Sequence, residues 1–275
     1  MWFAASQAAG ASTAVAAPTL GQNDSVYCRQ DDEVIRMRRL IAVADGVGVL
    51  FLTWLGNAPL AAAQQLDQAA VIRQIDAAVL SRVNRIAGYT VTEHYAVYKG
   101  QDESHSVADM IVKTTYRKET GKSYAVLSSS GSALVRRLGL DSILENERVI
   151  NLPANVAQSW ITSANYEMTL KPRTQTIDGR ECLVLAVNPK RRAPNLIVGT
   201  LWVDSKDYTI VRLEGVASKA PSVFAGVTHM MRQYATVDGF AMAKHAHAES
   251  STFLYGRTVV AIDYSAYEIE VRPGS

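Results

Sequence analysis

The chain has little with which to staple itself or to hold a charged partner. Its 275 residues include two cysteines, Cys28 and Cys182, so stability has to come from a buried core and not from disulfides. Neither sign of charge dominates: 28 Lys and Arg stand against 26 Asp and Glu, which gives no nucleic-acid signature. No apolar run reaches the roughly 20 residues that a bilayer-spanning helix needs. No stretch is rich enough in Pro, Gly or Ser to act as a linker and no fixed-period repeat recurs, so one domain is favoured.

What is present at the front is an export signal. Met37-Arg38-Arg39 precedes an apolar run over 40–55, and Ala61 and Ala63 stand just before Gln64. A basic n-region, a short h-region and an A-x-A-like end are the parts of a secretory signal peptide. Asp45 interrupts the run, which also argues against a membrane anchor. The expected organisation is therefore an extension without fold at 1–36, translation starting at Met37, a signal peptide at 37–63 and one domain at 64–275. Removal of 1–63 leaves Cys182 as the sole thiol, most simply a small buried hydrophobe. Gln64, where a lipoprotein would need cysteine, predicts a product soluble in the periplasm.

Past the cut, Ile72, Ile75, Val79, Val83 and Ile86 recur at three and four residues, with Arg73, Asp76, Arg82 and Arg85 opposite. This spacing predicts an amphipathic helix over 66–86, ended by Gly88. Strands follow from Tyr89, over 107–117 and over 124–127. Leu134, Val135, Leu138, Ile143 and Leu144 then suit a helix, and 155–161 a second short one after Pro153. The remainder reads as a meander, with Asp178-Gly179 and Asp238-Gly239 as hairpin turns.

At its centre, runs 196–203 and 208–214 flank Asp204-Ser205-Lys206-Asp207. If Val203 pairs with Tyr208, alternation places Val198, Thr200, Trp202, Thr209, Val211 and Leu213 on one face. The other face would carry Ile197, Leu201, Val203 and Ile210 beside Arg212 and Glu214. The expected fold class is α+β: a curved antiparallel β-sheet, an unclosed half-barrel of about ten strands, with two or three helices packed on the concave face.

An exported chain, a leading amphipathic helix, a meander with a helical insert and the hairpin LWVDSKDYTIVRLEG followed by Pro221-Ser222 together resemble the LolA/LolB-like family of outer-membrane lipoprotein-sorting proteins. The resemblance covers most of 65–271 and implies a half-barrel with a helical lid over a hydrophobic cavity for acyl chains. It implies a periplasmic carrier that binds lipid or lipoprotein acyl chains without chemistry or cofactor, and envelope membrane proteins as partners. An envelope-stress sensor of the same fold is the alternative, with a metal-dependent hydrolase built around His245 and His247 ranked behind it. Candidate lining residues are Tyr166, Met168, Leu170, Val198, Trp202, Val211 and Leu213; ordinary core under the helices is the competing reading of each.

Other constellations point less clearly to chemistry. His245 and His247 share a strand face with Glu249, a spacing that metal sites use when a third ligand comes from elsewhere, but a solvated sheet face is favoured. Ser128-Ser129-Ser130-Gly131-Ser132 lacks the G-x-S-x-G elbow of a nucleophile and reads as a strand-to-helix connection with a serine N-cap. Asp204 and Asp207 fit Asx-type turn bonding. Lys190-Arg191-Arg192 reads as a solvated loop ahead of a headgroup contact. N-terminal sequencing of protein recovered from an envelope fraction is expected to begin at Gln64; a start upstream of Met37 would overturn the export signal.

Overall fold

The computed structural model describes residues 67–220, 227–252 and 256–273. The expected extension and the signal peptide lie outside the described residues.

The leading helix, α1 (Gln68–Arg85), starts where the Asp67 carboxylate accepts from the Ala69 N–H, satisfying one of the free donors of the first turn. It ends three residues before Gly88. Ile86 turns extended while its N–H still reaches the Arg82 carbonyl, and β1 (Ile86–Lys99) begins there directly. The β-branched Ile86 is buried with Phe240 and Met242, so packing in the sheet decides the boundary before glycine is reached.

Hairpins build the first flank from β1, β2 (Ala108–Arg117) and β3 (Gly121–Gly131). The helical insert follows: α2 (Ala133–Val135), a π-turn over Arg136–Leu140, α3 (Asp141–Ile150) and a 3-10 turn over Val156–Ser159. Ser132 caps α2 by accepting from the Val135 N–H, as the serine-rich connection implied. The meander comprises β4 (Tyr166–Ile177), β5 (Arg180–Pro189), β6 (Ile197–Asp204), β7 (Ile210–Ala217), β8 (Thr228–Val237), β9 (Phe240–Thr252) and β10 (Gly256–Val271). Both Asp-Gly turns take the left-handed backbone that makes them tight: φ is 49° at Asp178 and 76° at Gly179, 49° at Asp238 and 80° at Gly239.

The strands form one antiparallel sheet in the order β3-β2-β1-β10-β9-β8-β7-β6-β5-β4. The last strand returns to pair with the first, so β3 and β4, neighbours in sequence, become the two edges. The helical insert must therefore cross from one edge to the other. α1 spans the same gap: it packs on both β1 and β4, and Gln68 Oε1 accepts from the Leu170 N–H at 3.0 Å. Asp76 accepts from Ser163 N and Oγ at 2.8 and 2.5 Å. β1 and β4 lie seven strand spacings apart, roughly 34 Å on a flat sheet, whereas an 18-residue helix is about 27 Å long. The sheet is curled into an unclosed half-barrel.

One row crosses its concave face: Met110, Tyr95, Ile262, Ala246, Arg232, Leu213, Leu201, Leu185 and Leu170 are paired strand to strand. The core packs on this face, under Val71 and Ile75 of α1 and Ile143 and Leu144 of α3.

The central hairpin corrects the expected register. Val203 pairs with Ile210, Trp202 with Arg212 and Leu201 with Leu213. Tyr208 adopts a left-handed φ of 58° and its N–H bonds back to the Asp204 carbonyl, so the turn is longer than four residues. Val211 is an extra residue at a bulge opposite Trp202 and Val203. The shift moves Leu213 to the face of Ile197, Leu201, Val203 and Ile210, which is the wholly apolar one. Val198, Thr200 and Trp202 share the convex face with Arg212 and Glu214. Leu201→Ala is expected to cost about 2–5 kcal/mol, and Val198→Ala, at a position 38% exposed, under about 0.5 kcal/mol. Urea denaturation of the two variants checks the register directly.

Candidate functional site

Between α1, the helical insert and the strands β1, β8, β9 and β10 lies a cavity of about 480 Å³. One wall is apolar: Val79, Val83 and Ile86 from the helix side, with Ile210, Phe240 and Met242 facing them. The other is polar and carries Glu93, Lys122, Glu147, Arg232 and the tyrosines at 89, 116, 234, 264 and 267. The implied oily hollow is thus amphiphilic.

The polar wall is organised by Lys122. Its ammonium lies 2.9 Å from Glu147 of α3 and 4.0 Å from Glu93 of β1. Both carboxylates are buried, Glu93 at 1% and Glu147 at 5% exposure, so each depends on this cation for compensation. Glu147 also accepts from Asn151 Nδ2 at 3.2 Å, and Glu93 from the Tyr95 hydroxyl. Burial pushes the Glu147 carboxyl up, but Lys122 and Arg232 outweigh it and hold the group below its ordinary range. Burial likewise favours neutral Lys122, and Glu147, Tyr89, Tyr124 and Glu93 reverse that, keeping the ammonium charged well above its usual value.

Arg232 lies beyond ion-pair distance of these carboxylates but close enough to help hold Glu147 ionised. It occupies the concave-face row between Ala246 and Leu213, with Tyr234 and Tyr264 around its guanidinium. At the mouth, Arg82 donates to the Met242 sulfur at 3.7 Å and Arg85 lies 4.8 Å over the Phe240 ring.

The sequence-derived candidates fall into two groups. Tyr166, Met168, Leu170 and Leu213 come together in the main core on the concave face. Val198 and Trp202 face outward, Trp202 donating to Gln175 at 2.6 Å with Arg212 over its ring at 5.5 Å. Val211 is buried at 1% exposure but lies outside that core cluster. The cavity lining itself is drawn from other residues. A signal for some of them was present: Glu93 is in phase with Val91, Tyr95 and Val97, and Arg232 with Met230 and Tyr234. A charge that keeps step with buried apolar positions marks a polar group forced inside.

The remaining motifs have local explanations. His245 contacts Asp263 at 2.7 Å and His247 lies 3.9 Å from Glu103; among the described residues no three His, Cys, Asp or Glu converge on a point that could hold a metal ion. Arg191 donates to the Gln158 carbonyl and Arg192 to that of Ser218, so both guanidinia of the basic run serve the loop. Asp204 and Asp207 accept from the backbone N–H groups two residues on. Cys182 is fully buried.

The described chain thus forms an open antiparallel half-barrel whose concave side holds a cavity under crossing helices. No family model and no curated protein matches the chain. Solved structures are similar to it in fold. A LolA superfamily protein from Nitrosomonas europaea is similar with a TM-score of 0.40 and 12% identity, over 74% of this chain and 94% of that one. A domain provisionally titled an outer membrane lipoprotein-sorting protein, from Vibrio parahaemolyticus, gives 0.44 and 12%, over 76% and 95%. MucB in complex with MucA(peri) gives 0.22 and 11%, over 75% and 100%.

The Lys122 cluster makes stability depend on pH with a definite sign. The Glu147 carboxyl is depressed in the folded state, so its contribution is complete above the unfolded value of about 4.3 and is lost as pH falls through the folded one. Urea midpoints taken from pH 7 to 3 are expected to fall on the acid side. Glu147→Gln should be less stable at pH 7 by about 3–5 kcal/mol, since it strips a buried cation of its nearest partner, and its acid-side fall should be shallower.

Proposed function

We propose that the protein is a periplasmic carrier that holds an acyl chain non-covalently in the cavity between α1 and the sheet, in the service of outer-membrane lipoprotein sorting. The observation that carries this reading is the cavity itself. At about 480 Å³ it falls within the roughly 300–1,000 Å³ typical of small-molecule sites, and Val79, Val83, Ile86, Ile210, Phe240 and Met242 give part of its lining an apolar surface. Each buried CH₂ of a chain lying there gains about 0.8 kcal/mol, with no catalytic group required.

Met242 on that wall, and Met168 and Met230 in the adjoining core, suit a site that reshapes around chains of different length, because methionine adapts its rotamers at small cost. Leu213, Met168, Leu170 and Tyr166 belong to the main core on the same concave face, the side into which a longer tail would repack. On this reading the stretch over 37–63 acts as an export signal and the carrier works in the envelope. No described helix is long and apolar enough to cross a membrane. The partners on this reading are lipid or lipoprotein acyl groups and the envelope proteins that load and unload them.

Protein recovered from an envelope fraction is expected to show extractable lipid by native mass spectrometry. Val83→Asp, which sets a charge in the lining at a half-buried helix position, should lower saturable binding of a fluorescent acyl probe at least about tenfold while circular dichroism stays that of the wild type. Protein that is lipid-free and shows no saturable binding would remove the carrier reading.

A further inference from the structure

The residue that pure acyl burial leaves without a task is Arg232. Its row across the sheet is otherwise apolar, with Ala246 beside it on β9, and Arg232 itself lines the cavity. Lys122 serves both buried carboxylates, and among the described residues none lies within ion-pair distance of Arg232. Tyr234 accepts one of its hydrogen bonds, whereas a guanidinium offers five N–H donors in a fixed fork. Keeping such a group inside a half-barrel costs desolvation that an aliphatic side chain would avoid.

The charge around the cavity points the same way. Among the described residues its lining holds four cations, Arg82, Arg85, Lys122 and Arg232, and three carboxylates, Glu93, Glu147 and Asp207. Asp207 also faces Arg180 at 3.7 Å. The described lining therefore carries an excess of positive charge. The apolar part of the lining includes Val79, Val83, Phe240 and Met242, so a bound molecule meets the Arg232 cation and hydrocarbon in one cavity.

We infer that the cavity takes a free long-chain carboxylic acid, its carboxylate held in the fork of Arg232 beside Tyr234 and Tyr264 and its tail laid along Val83, Ile210, Phe240 and Met242. This rests on the carrier reading and narrows it from acyl chains in general to chains that end in an anion. A two-oxygen carboxylate matches the guanidinium fork in a plane, and its charge is opposite to the excess on the described lining.

Isothermal titration of the full chain with laurate, methyl laurate and dodecyl phosphate, all of one tail length, tests the inference. Wild type should bind laurate about tenfold or more tightly than the ester. Arg232→Gln should bring the laurate-to-ester ratio close to one, and Arg232→Lys should restore part of it. Equal binding of acid and ester by the wild type overturns the inference and leaves the carrier reading in place, a comparison that needs no variant to fold. A ratio that survives Arg232→Gln, or dodecyl phosphate outbinding laurate, also overturns it. Binding of none of the three removes the carrier reading and the inference together.

Discussion

Because β10 returns to pair with β1, the chain between β3 and β4 has to cross the whole opening of the half-barrel, and the Lys122–Glu147 ion pair is what fastens that crossing to the sheet. Lys122 stands at the start of β3 and Glu147 in the middle of α3, while Glu93 reaches the same ammonium from β1. In the low dielectric of the interior these charges are tolerable only together. Their mutual dependence sets where α3 lies, and the position of α3 sets the depth of the space left beneath it.

That space inherits its character from the two kinds of surface that enclose it. The apolar stripe of α1 and the early residues of β9 supply hydrocarbon, while the fastening cluster and Arg232 supply charge. The core and the cavity are therefore different places in one bowl. Leu185, Leu201, Leu213 and their neighbours fill the β4–β7 side, and the open volume is displaced toward β1, β8, β9 and β10, where tyrosines and charged groups resist close packing. A polar side chain inside a sheet keeps hydrogen-bond partners or solvent beside it, and a hollow persists where aliphatic residues would have collapsed.

Much of the architecture was legible in the chain. The three-and-four spacing from Ile72 to Ile86 placed α1, the two Asp-Gly pairs fixed two turns through their tolerance of positive φ, and strand alternation gave a ten-stranded antiparallel sheet. The central hairpin shows the limit of such reading. Its turn chemistry was right at Asp204 and Asp207, yet the left-handed Tyr208 and the bulge at Val211 shifted the pairing, and a shift by an odd number exchanges the faces of a strand. Trp202 and Val198 went to the convex side and Leu213 to the concave one for that reason alone.

Local sequence by itself determined which segments are helix or strand and where most of them turn, because backbone preference and short-range hydrogen bonding act over a few residues. Only the tertiary structure decided that Lys122, Glu93, Glu147 and Arg232 share one wall, since they come from β3, β1, α3 and β8, and pairing of the last strand with the first is what brings them together. Charge compensation in a buried site depends on distances between remote segments, and the order of residues along the chain does not carry those distances.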